Sequence, residues 1–564
     1  MKKILFLLLI SFFFNTISAS EKAKIRTAYV YQLDLSGKLV EFAAKPMGFP
    51  YSMFSFNSKK TLGLNDVLRN IAYAKNNEKI SGIFLVNGSL QGGYAAMREI
   101  REALIDFKKS GKFIYAYADN YTQSNYYLAS VANKIMLNTY GSVDFKGLSA
   151  QTLFYKNALD KLGVEVQVVK VGNYKSAVEP FTTTTMSDSN REQVSAYLHS
   201  VWGVLLSEIS ASRNIPTDNL NSIATEFTGL KQTDELKSLK MVDTLVYTNE
   251  ADTIINKIAP KELKIKRLTH SKLSKKSRHQ PRDKNRIAVV YLSGNIGSGR
   301  NDINAKSVTT VYQALKNNKS IKAVVIRVNS PGGSAFESEK IHHILSMLKT
   351  KMPIVVSMGT YAASGGYYIS SMANKIVAQP TTITGSIGIF GMLPNAEKLY
   401  GKAGLTMDGV KTNEMGDSYS MKRPMTDLER GKMQAYINSG YELFVKRCSD
   451  GRNLTVDSIK ALAQGRVWTG IDARARGLVD ELGGMETALQ AAAKLAGITT
   501  YQTITINPKA GKPAQSFANV MEQKFDEQIS ESTYGNFLKL LFTLSDLKKE
   551  DRIQARLMYD IDNE

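Results

Sequence analysis

The sequence predicts an α/β protein made of two tandem copies of one domain, each a parallel sheet flanked by helices. Three observations predict it. One stretch occurs twice: Tyr121-Thr-Gln-Ser-Asn-Tyr-Tyr-Leu-Ala-Ser-Val-Ala-Asn-Lys-Ile135 returns as Ala362-Ala-Ser-Gly-Gly-Tyr-Tyr-Ile-Ser-Ser-Met-Ala-Asn-Lys-Ile376, an offset of 241 from Lys134 to Lys375. Within each copy, short apolar runs alternate with helical patterns, the order of βαβ units. Those runs are apolar throughout rather than every second residue, as expected of strands covered on both faces.

Taken in order, the first copy offers strands over Thr27–Leu33, Ile80–Val86, Lys112–Ala118 and Lys134–Leu137. Between them, Met97, Ile100, Leu104 and Phe107 recur at three- and four-residue steps, the spacing of one buried helix face. The second copy offers Ile287–Leu292, Ala323–Val328, Ile354–Ser357 and Ile376–Ala378, with a helix across Glu339–Leu348. The correspondence reaches further: Arg213-Asn214 answers Arg452-Asn453, and Met241-Val-Asp243 answers Leu478-Val-Asp480. Leu35-Ser-Gly37 answers Leu292-Ser-Gly294 at a larger offset, so the first copy carries about sixteen extra residues near Glu41 to Phe56, a loop-sized insertion. Units of this length are far longer than solenoid repeats, so this is a duplicated domain. Beyond Gly497, a strand-like Tyr501–Ile506 precedes a break at Pro508–Pro513, and the apolar cluster Phe537–Leu544 is expected to dock on protein.

The boundaries that follow are 1–19 for a signal segment or short membrane anchor, 24–255 for the first repeat and 256–286 for a basic linker. The second repeat takes 287–500, and 501–564 is a tail. Hydrophobic content of 43% and charged content of 22% are those of a globular chain, so each repeat can build its own core. The linker holds much of the basic excess behind a net charge of +22. It has no nucleic-acid recognition motif or interleaved aromatics, so nucleic acid is ranked last as a partner. A solvated connector is the first reading, and contact with anionic lipid headgroups, worth roughly 1 kcal/mol per residue, the second. The single Cys448 excludes an intrachain disulfide and a cysteine-rich zinc site. Lys2-Lys3, the apolar run Ile4–Phe14 and the small-residue exit to Ala19 describe a secretory signal, shorter than the roughly 20 residues that span a bilayer. Export is the expectation.

Candidate chemistry sits in the repeated segments. The strand Ala323–Val328 runs into Asn329-Ser-Pro-Gly-Gly-Ser334, whose glycines let backbone N–H groups approach a ligand and meet developing negative charge. Pro-Gly-Gly is also an ordinary turn. Ser364 follows the next strand among small residues and, taken alone, reads as a helix N-cap. None of the five histidines, His199, His270, His279, His342 and His343, lies in a recognisable triad setting, which argues against a Ser-His-Asp arrangement. Lysine can serve instead if burial lowers its pKa, because the neutral amine then takes a hydroxyl proton. Lys175, between Tyr174 and Ala177-Val178, is the candidate; taken alone it is a surface lysine with a buried stem. Duplication shifts the balance. Ser364 falls on Gln123 of the first copy, and Lys175 falls on Gly416 of the second. One copy keeps a serine and the other a lysine, as a composite site between pseudo-symmetric repeats requires.

Gly172-Asn-Tyr-Lys-Ser-Ala-Val-Glu-Pro-Phe181, Asn329-Ser-Pro-Gly-Gly333, Ala362-Ala-Ser-Gly-Gly-Tyr-Tyr368 and Thr384-Gly-Ser-Ile-Gly388 together resemble the signal peptide peptidase A family, in its long type with two tandem repeats. The resemblance spans about Thr61 to Gly484. It implies a fold similar to Clp proteases and crotonases, with no cofactor and no metal. It implies Ser364 as nucleophile, Lys175 as general base that later returns the proton, and Ser386 as the group orienting the lysine. Backbone N–H at Gly332 or Gly333 is the implied oxyanion hole. Family members are membrane-associated, face the periplasm or exterior, form ring- or dome-like homo-oligomers and cut remnant signal peptides at small or apolar residues. The expected function is thus a Ser/Lys serine endopeptidase that degrades such peptides in the cell envelope through an acyl-enzyme. The expected partners are peptide substrates, a tetramer-like set of its own copies and a membrane surface, at the periplasmic face of the inner membrane or in the periplasm. Acyl-CoA chemistry on a crotonase-like fold is opposed by export, since that cofactor is cytosolic. A non-catalytic exported scaffold is opposed by the intact Ser364, Lys175 and Ser386 set.

Overall fold

The computed structural model describes residues 26–43, 60–258, 263–278, 283–299, 301–506, 508 and 553–556. The expected signal segment 1–19, most of the insertion and the apolar cluster Phe537–Leu544 lie outside these residues. No helix among the described residues is long and apolar enough to cross a membrane.

Each repeat folds around its own sheet. In the first, Arg26–Val40 pairs with Thr61–Gly63, Ile80–Gln91 and Leu263–Thr269, and the sheet continues through Phe113–Tyr121, Lys134–Val143 and Thr244–Leu245. In the second, the order is Val467–Thr469, Ile383–Gly385, Ile354–Ala363, Ile321–Ser330, Arg286–Ser293 and Gln502–Ile506, with Lys375–Ala378 also paired to Ile354–Ala363. The ladders are parallel except that between Ile383–Gly385 and Val467–Thr469. The unbroken apolar runs have their expected cause. Val324, Ile326 and Val328 enter one core, while Ala323 and Val325 enter another with Ala488 and Leu489 of helix Met485–Leu495. Successive side chains alternate between two faces, and both faces are dry. The predicted strands form, but several run past their apolar stretch, as Ile80–Gln91 and Ile354–Ala363 do. The added residues mix polar positions such as Asn87 and Thr360 with buried apolar ones such as Leu90, Met358 and Ala362.

The duplication is visible in matched contacts. Tyr126 Oη–H donates to Met241 O at 3.0 Å, and its counterpart Tyr367 Oη–H donates to Leu478 O at 2.9 Å. Asp243 accepts from Ile135 N–H and Asp480 from Ile376 N–H, both at 2.7 Å. Helices Asp188–Arg213 and Asp427–Arg452 both stop at an asparagine with φ 54°, Asn214 and Asn453, a left-handed position that Asn tolerates. Arg213 and Arg452 just before them reach the paired aspartates, which ties each long helix end to its sheet.

The basic segment differs from the connector reading. Leu263–Thr269 adds a parallel strand to Arg26–Val40, and helix His270–Ser277 packs Leu273 fully into the first core. Tyr31 Oη lies 2.8 Å from His270 Nδ1, and Ser277 Oγ–H donates to Asn70 Oδ1 at 2.6 Å. Charge obscured the strand, which has no clean alternation: Leu268 is buried, Lys266 is exposed, and Arg267 stacks over Phe84 while pairing with Asp252 at 2.7 Å. A strand draws its pairing from backbone groups, so basic side chains on its outer face do not prevent it.

Several contacts join the repeats. Glu165–Lys170 of the first pairs antiparallel with Phe390–Asn395 of the second, over six residue pairs from Lys170↔Phe390 to Glu165↔Asn395. Within strand Ile321–Ser330, Arg327 of the second repeat is fully buried against Glu41 and Glu99 of the first. Cys448 is buried in the second core, and burial pushes its thiol pKa up, so it is an inert packing residue.

Candidate active site

Ser364 stands between strand Ile354–Ala363 and helix Gly365–Ser370, at the N-cap position, but its hydroxyl makes no cap bond. The N-cap reading is therefore corrected. Its backbone sits at φ 54°, ψ −113°, a sparsely populated conformation costing about 1–3 kcal/mol, held by Ser364 N–H donating to Gly385 O at 2.8 Å. Freed from capping, the hydroxyl meets Lys175. In the first copy the equivalent turn is ordinary. Thr122 caps the helix, and Gln123 is consumed by its own surroundings: its Nε2 donates to Tyr94 Oη and Gly147 O, both at 3.0 Å, and its Oε1 accepts from Lys146 and Gly147 N–H.

Lys175 arrives from the other repeat on the loop that follows the bridging strand Glu165–Lys170. Val171 N–H donates to Ile389 O at 3.1 Å and Tyr174 N–H to Gln464 O at 3.0 Å, so the zipper continues up to the lysine. Gln193, from helix Asp188–Arg213, fastens the loop further. Its Nε2 donates to Tyr174 O (3.1 Å) and Ser176 Oγ (2.7 Å), and its Oε1 accepts from Val467 N–H (3.2 Å). Gly465 has φ +80°, and a Cβ there would stand 2.7 Å from the Lys175 Cα. Only glycine lets the two backbones lie this close.

Lys175 Nζ is 2.7 Å from Ser364 Oγ, 3.0 Å from Ser386 Oγ and 3.2 Å from Ser386 O. All three residues are buried, at 1%, 0% and 2% exposure. Burial pulls the lysine pKa down from 10.5 to about 7. The neutral amine has one lone pair and two N–H groups. In that form the lone pair can accept a hydrogen bond from Ser364 Oγ–H while the two N–H groups donate to the two Ser386 oxygens. Ser386 is itself held at φ 51°, with its N–H donating to Arg466 O at 2.7 Å. Hydrolysis that uses this amine as base is expected to rise with pH through about 7 and level off above it, because only the neutral form accepts a proton. A profile of kcat/KM against pH between about 5 and 9 tests this; a rate that is flat across neutrality counts against the lysine.

Gly332–Ser334 forms a short strand beside this pair. Gly332 has φ +102°, and a Cβ on it would fall 2.1 Å from Ala555 O and 2.8 Å from Gly365 N. Its own N–H donates to Ser330 Oγ at 3.1 Å. The structure thus brings Ser364, Lys175 and Ser386 into contact and sets Gly332 and Gly333 alongside. The sequence reading missed Gln193, Gly465 and the Gly365 N–H. Only the Gly-Gly after Ser364 signalled the last, and Gln193 carried no local signal. The adjoining cleft is walled by Tyr174, Gln193, Tyr197, Ile383, Val467 and Arg556. Buried His342 packs edge-on to Tyr368 and half-buried His270 stacks on Tyr31, and neither lines this cleft. His279 lies outside the described residues. Among the described residues, no group of three His, Cys, Asp or Glu is placed to hold a metal.

The profile of peptidase family S49 matches the chain at residues 106–261 and again at 346–499. The chain belongs to peptidase family S49. Two matches to one profile, one in each repeat, agree with the duplication, and the likeness to the signal peptide peptidase A family holds. A Clp protease profile matches residues 285–383, the stretch containing Gly332, Gly333 and Ser364, in accord with the Clp-like α/β fold. The chain is 38% identical to "Protease 4" of Salmonella typhi over 453 residues, 78% of this chain and 73% of that one. It is 36% identical to "Protease 4" of Haemophilus influenzae over 511 residues, 85% of this chain and 82% of that one. It is 27% identical to "Serine protease SPPA, chloroplastic" of Arabidopsis thaliana over 549 residues, 95% of this chain and 80% of that one. It is a serine peptidase of this family.

Proposed function

We propose that the chain is an endopeptidase working through a Ser364/Lys175 dyad split between its two repeats. The observation that carries this is the 2.7 Å approach of Lys175 Nζ to Ser364 Oγ between two buried side chains. Lys175 takes the hydroxyl proton as Ser364 Oγ adds to a peptide carbonyl, then returns it to the leaving amine, leaving an acyl-enzyme for water to hydrolyse. Ser386 keeps the amine pointed at Ser364. Gly332 N–H is engaged by Ser330, so Gly333 and Gly365 N–H are the oxyanion donors. The first repeat, 24–255, supplies the base, and the second, 287–500, the nucleophile.

The substrates are short apolar peptides, remnant signal peptides among them, since the cleft walls combine aromatic and aliphatic side chains. Export to the cell envelope, at the periplasmic face of the inner membrane or in the periplasm, is supported by the Lys2-Lys3 and Ile4–Phe14 pattern. A homo-oligomer is supported by broken symmetry. The counterpart of the bridging strand is the loop 406–411, where Met407 and Val410 are exposed; the counterpart of its partner strand is 149–154, where Leu153 is exposed. One chain's loop paired with the next chain's segment would repeat the internal contact head to tail, and such a contact closes into a ring.

A blocked apolar peptide ester, quenched in acid during turnover, tests the chemistry. Intact-mass analysis is expected to find the acyl group on Ser364 of the wild type and none on Ser364→Ala. An adduct on any other side chain sinks the assignment.

A further inference from the structure

One arginine touches both the group that orients Lys175 and the residue that precedes it. Arg466 belongs to the second repeat, between Gly465 and strand Val467–Thr469. Its carbonyl accepts from Ser386 N–H at 2.7 Å, and Ser386 is in turn a partner of the Lys175 amine. Its guanidinium reaches the other way, into the first repeat. Nη1 donates to Tyr174 Oη at 3.1 Å and Nη2 to Glu192 Oε1 at 2.7 Å. Tyr174 Oη–H donates to Glu192 Oε2 at 2.7 Å, which closes a ring of three side chains. The guanidinium also stacks on two aromatic faces, 4.7 Å from the Tyr174 ring centre and 4.6 Å from that of Trp468. An exposed ion pair by itself holds little. The Arg466 side chain is only 21% exposed, however, and a planar fork that bonds two groups while stacking on rings keeps one geometry. The stitch is doubled next door: Gln193, beside Glu192, donates to Tyr174 O and accepts from Val467 N–H, beside Arg466.

We propose that Arg466 is the positioning residue of the dyad, holding the lysine loop through Tyr174 and the lysine's orienting group through Ser386. The proposal rests on the Ser364/Lys175 reading. Arg466 touches none of the reacting atoms and acts through these two neighbours. Tyr174 walls the cleft beside Lys175. Opening the clasp frees that wall, and water that reaches the amine favours its ammonium form. Burial is the cause of the lysine's low pKa, so the pH at which activity appears reports how firmly the loop is held. The titratable and charged groups at this corner are Tyr174, Glu192 and Tyr197 from the first repeat, Arg466 and Arg476 from the second, and Arg556. A test must therefore separate a lost contact from a lost charge.

Hydrolysis of an apolar fluorogenic peptide is followed as kcat/KM between about pH 5 and 10 on the full chain. The samples are wild type, Tyr174→Phe, Arg466→Met combined with Glu192→Gln, and Arg476→Met. The double variant removes one charge of each sign, and Tyr174→Phe removes none. Arg476 stacks on Trp468 at 3.9 Å and pairs with Asp472 at 3.5 Å, so its loss takes a positive charge from the corner and leaves the clasp closed. The double variant is expected to move the midpoint up from about 7 by about one unit, a loss of about fivefold at pH 7 that closes near pH 9. Tyr174→Phe moves it the same way by less, because the ring stack survives, and Arg476→Met keeps the wild-type midpoint. A double variant whose rate is unchanged, or falls by one factor at every pH, overturns the positioning role. So does an Arg476→Met midpoint that moves as far, since charge is then the cause. If the double variant does not fold, Tyr174→Phe decides alone, and an unmoved midpoint overturns the proposal. A wild-type profile flat across neutrality overturns the lysine as base, and the role of Arg466 with it.

Discussion

Replacing Lys175 by methionine is expected to abolish peptide hydrolysis and to make the protein more stable. Removing a general base costs typically 10²–10⁴-fold in rate. Here the lysine amine lies 2.7 Å from the nucleophile's oxygen, so a fall at the upper end, about 10⁴-fold in kcat, is expected. Ser364→Ala should fall at least as far. The stability gain follows from the lysine's environment. In the unfolded chain the amine is solvated near its ordinary value of 10.5, whereas in the folded site burial brings it to about 7. The unfolded state therefore binds more protons between these values, and wild-type stability rises with pH across that window. Below about pH 7 both states carry the proton, and the full cost of burying the charge is present, roughly 4–5 kcal/mol. Above 10.5 both are neutral and the cost vanishes. Methionine keeps the packing and carries no charge. Its advantage in chemical denaturation should be greatest at or below pH 7 and shrink to nothing near pH 10.5. Lost hydrogen bonds to Ser364 and Ser386 offset part of it, about 1 kcal/mol each. Retained activity, or a stability gap that widens as pH rises, would contradict the site as described.

Arg327→Met should be the most destabilising single change in the interior. The guanidinium is fully buried, with Nε 3.0 Å from Glu41 Oε2 and Nη2 3.0 Å from Glu41 Oε1; Nη2 also reaches Glu99. Its Nη1 donates to Ser357 Oγ at 2.9 Å and to Met358 O at 3.2 Å. Glu99 closes the cluster by accepting from Met485 N–H at 3.0 Å. Burial already pushes the Glu99 carboxyl above its ordinary pKa, even with the arginine beside it. Without the arginine, two carboxylates are left in a dry space, and breaking a buried pair in this way costs about 3–5 kcal/mol. Because Glu41 and Glu99 come from the first repeat and Arg327 from the second, the loss falls on the seam that keeps Lys175 against Ser364. Arg327→Met is therefore expected to lower kcat as well as the denaturation midpoint. Combining it with Glu41→Gln and Glu99→Gln should recover much of the stability, because the uncompensated charges are then gone. If the single variant matches wild type in both measurements, the cluster does not hold the repeats together.

The residues of the site were legible because duplication offers an internal comparison. Ser364 against Gln123 and Lys175 against Gly416 marked a divided pair, and the glycine-rich segments carried the family likeness. Strand identity was equally legible, since Ile321–Ser330 and Arg286–Ser293 are β-branched runs that bury both faces. Contacts made far along the chain were not. Gln193 clamps the lysine loop from a helix, and no local pattern sets it apart from other glutamines. Leu263–Thr269 was hidden by its lysines and arginines, although its partner in pairing is the backbone of Arg26–Val40. Ile553–Arg556 has too few residues for any periodicity, and only the open edges of Gly332–Ser334 and Phe390–Asn395 give it a place.

Sequence by itself determined that this protein is two copies of one α/β domain and that they diverged at one serine and one lysine. Periodicity, composition and the comparison of the two copies carry such information because they are local. The tertiary structure decided that strand Glu165–Lys170 leaves its own repeat and pairs with Phe390–Asn395, so that the lysine enters the other repeat's site. It decided that Ser364 is held at φ 54° and released from capping, and that burial brings the lysine pKa down to about 7. Backbone register, strain and desolvation arise only when segments some 200 residues apart are packed together, and the chemistry of the pair depends on all three.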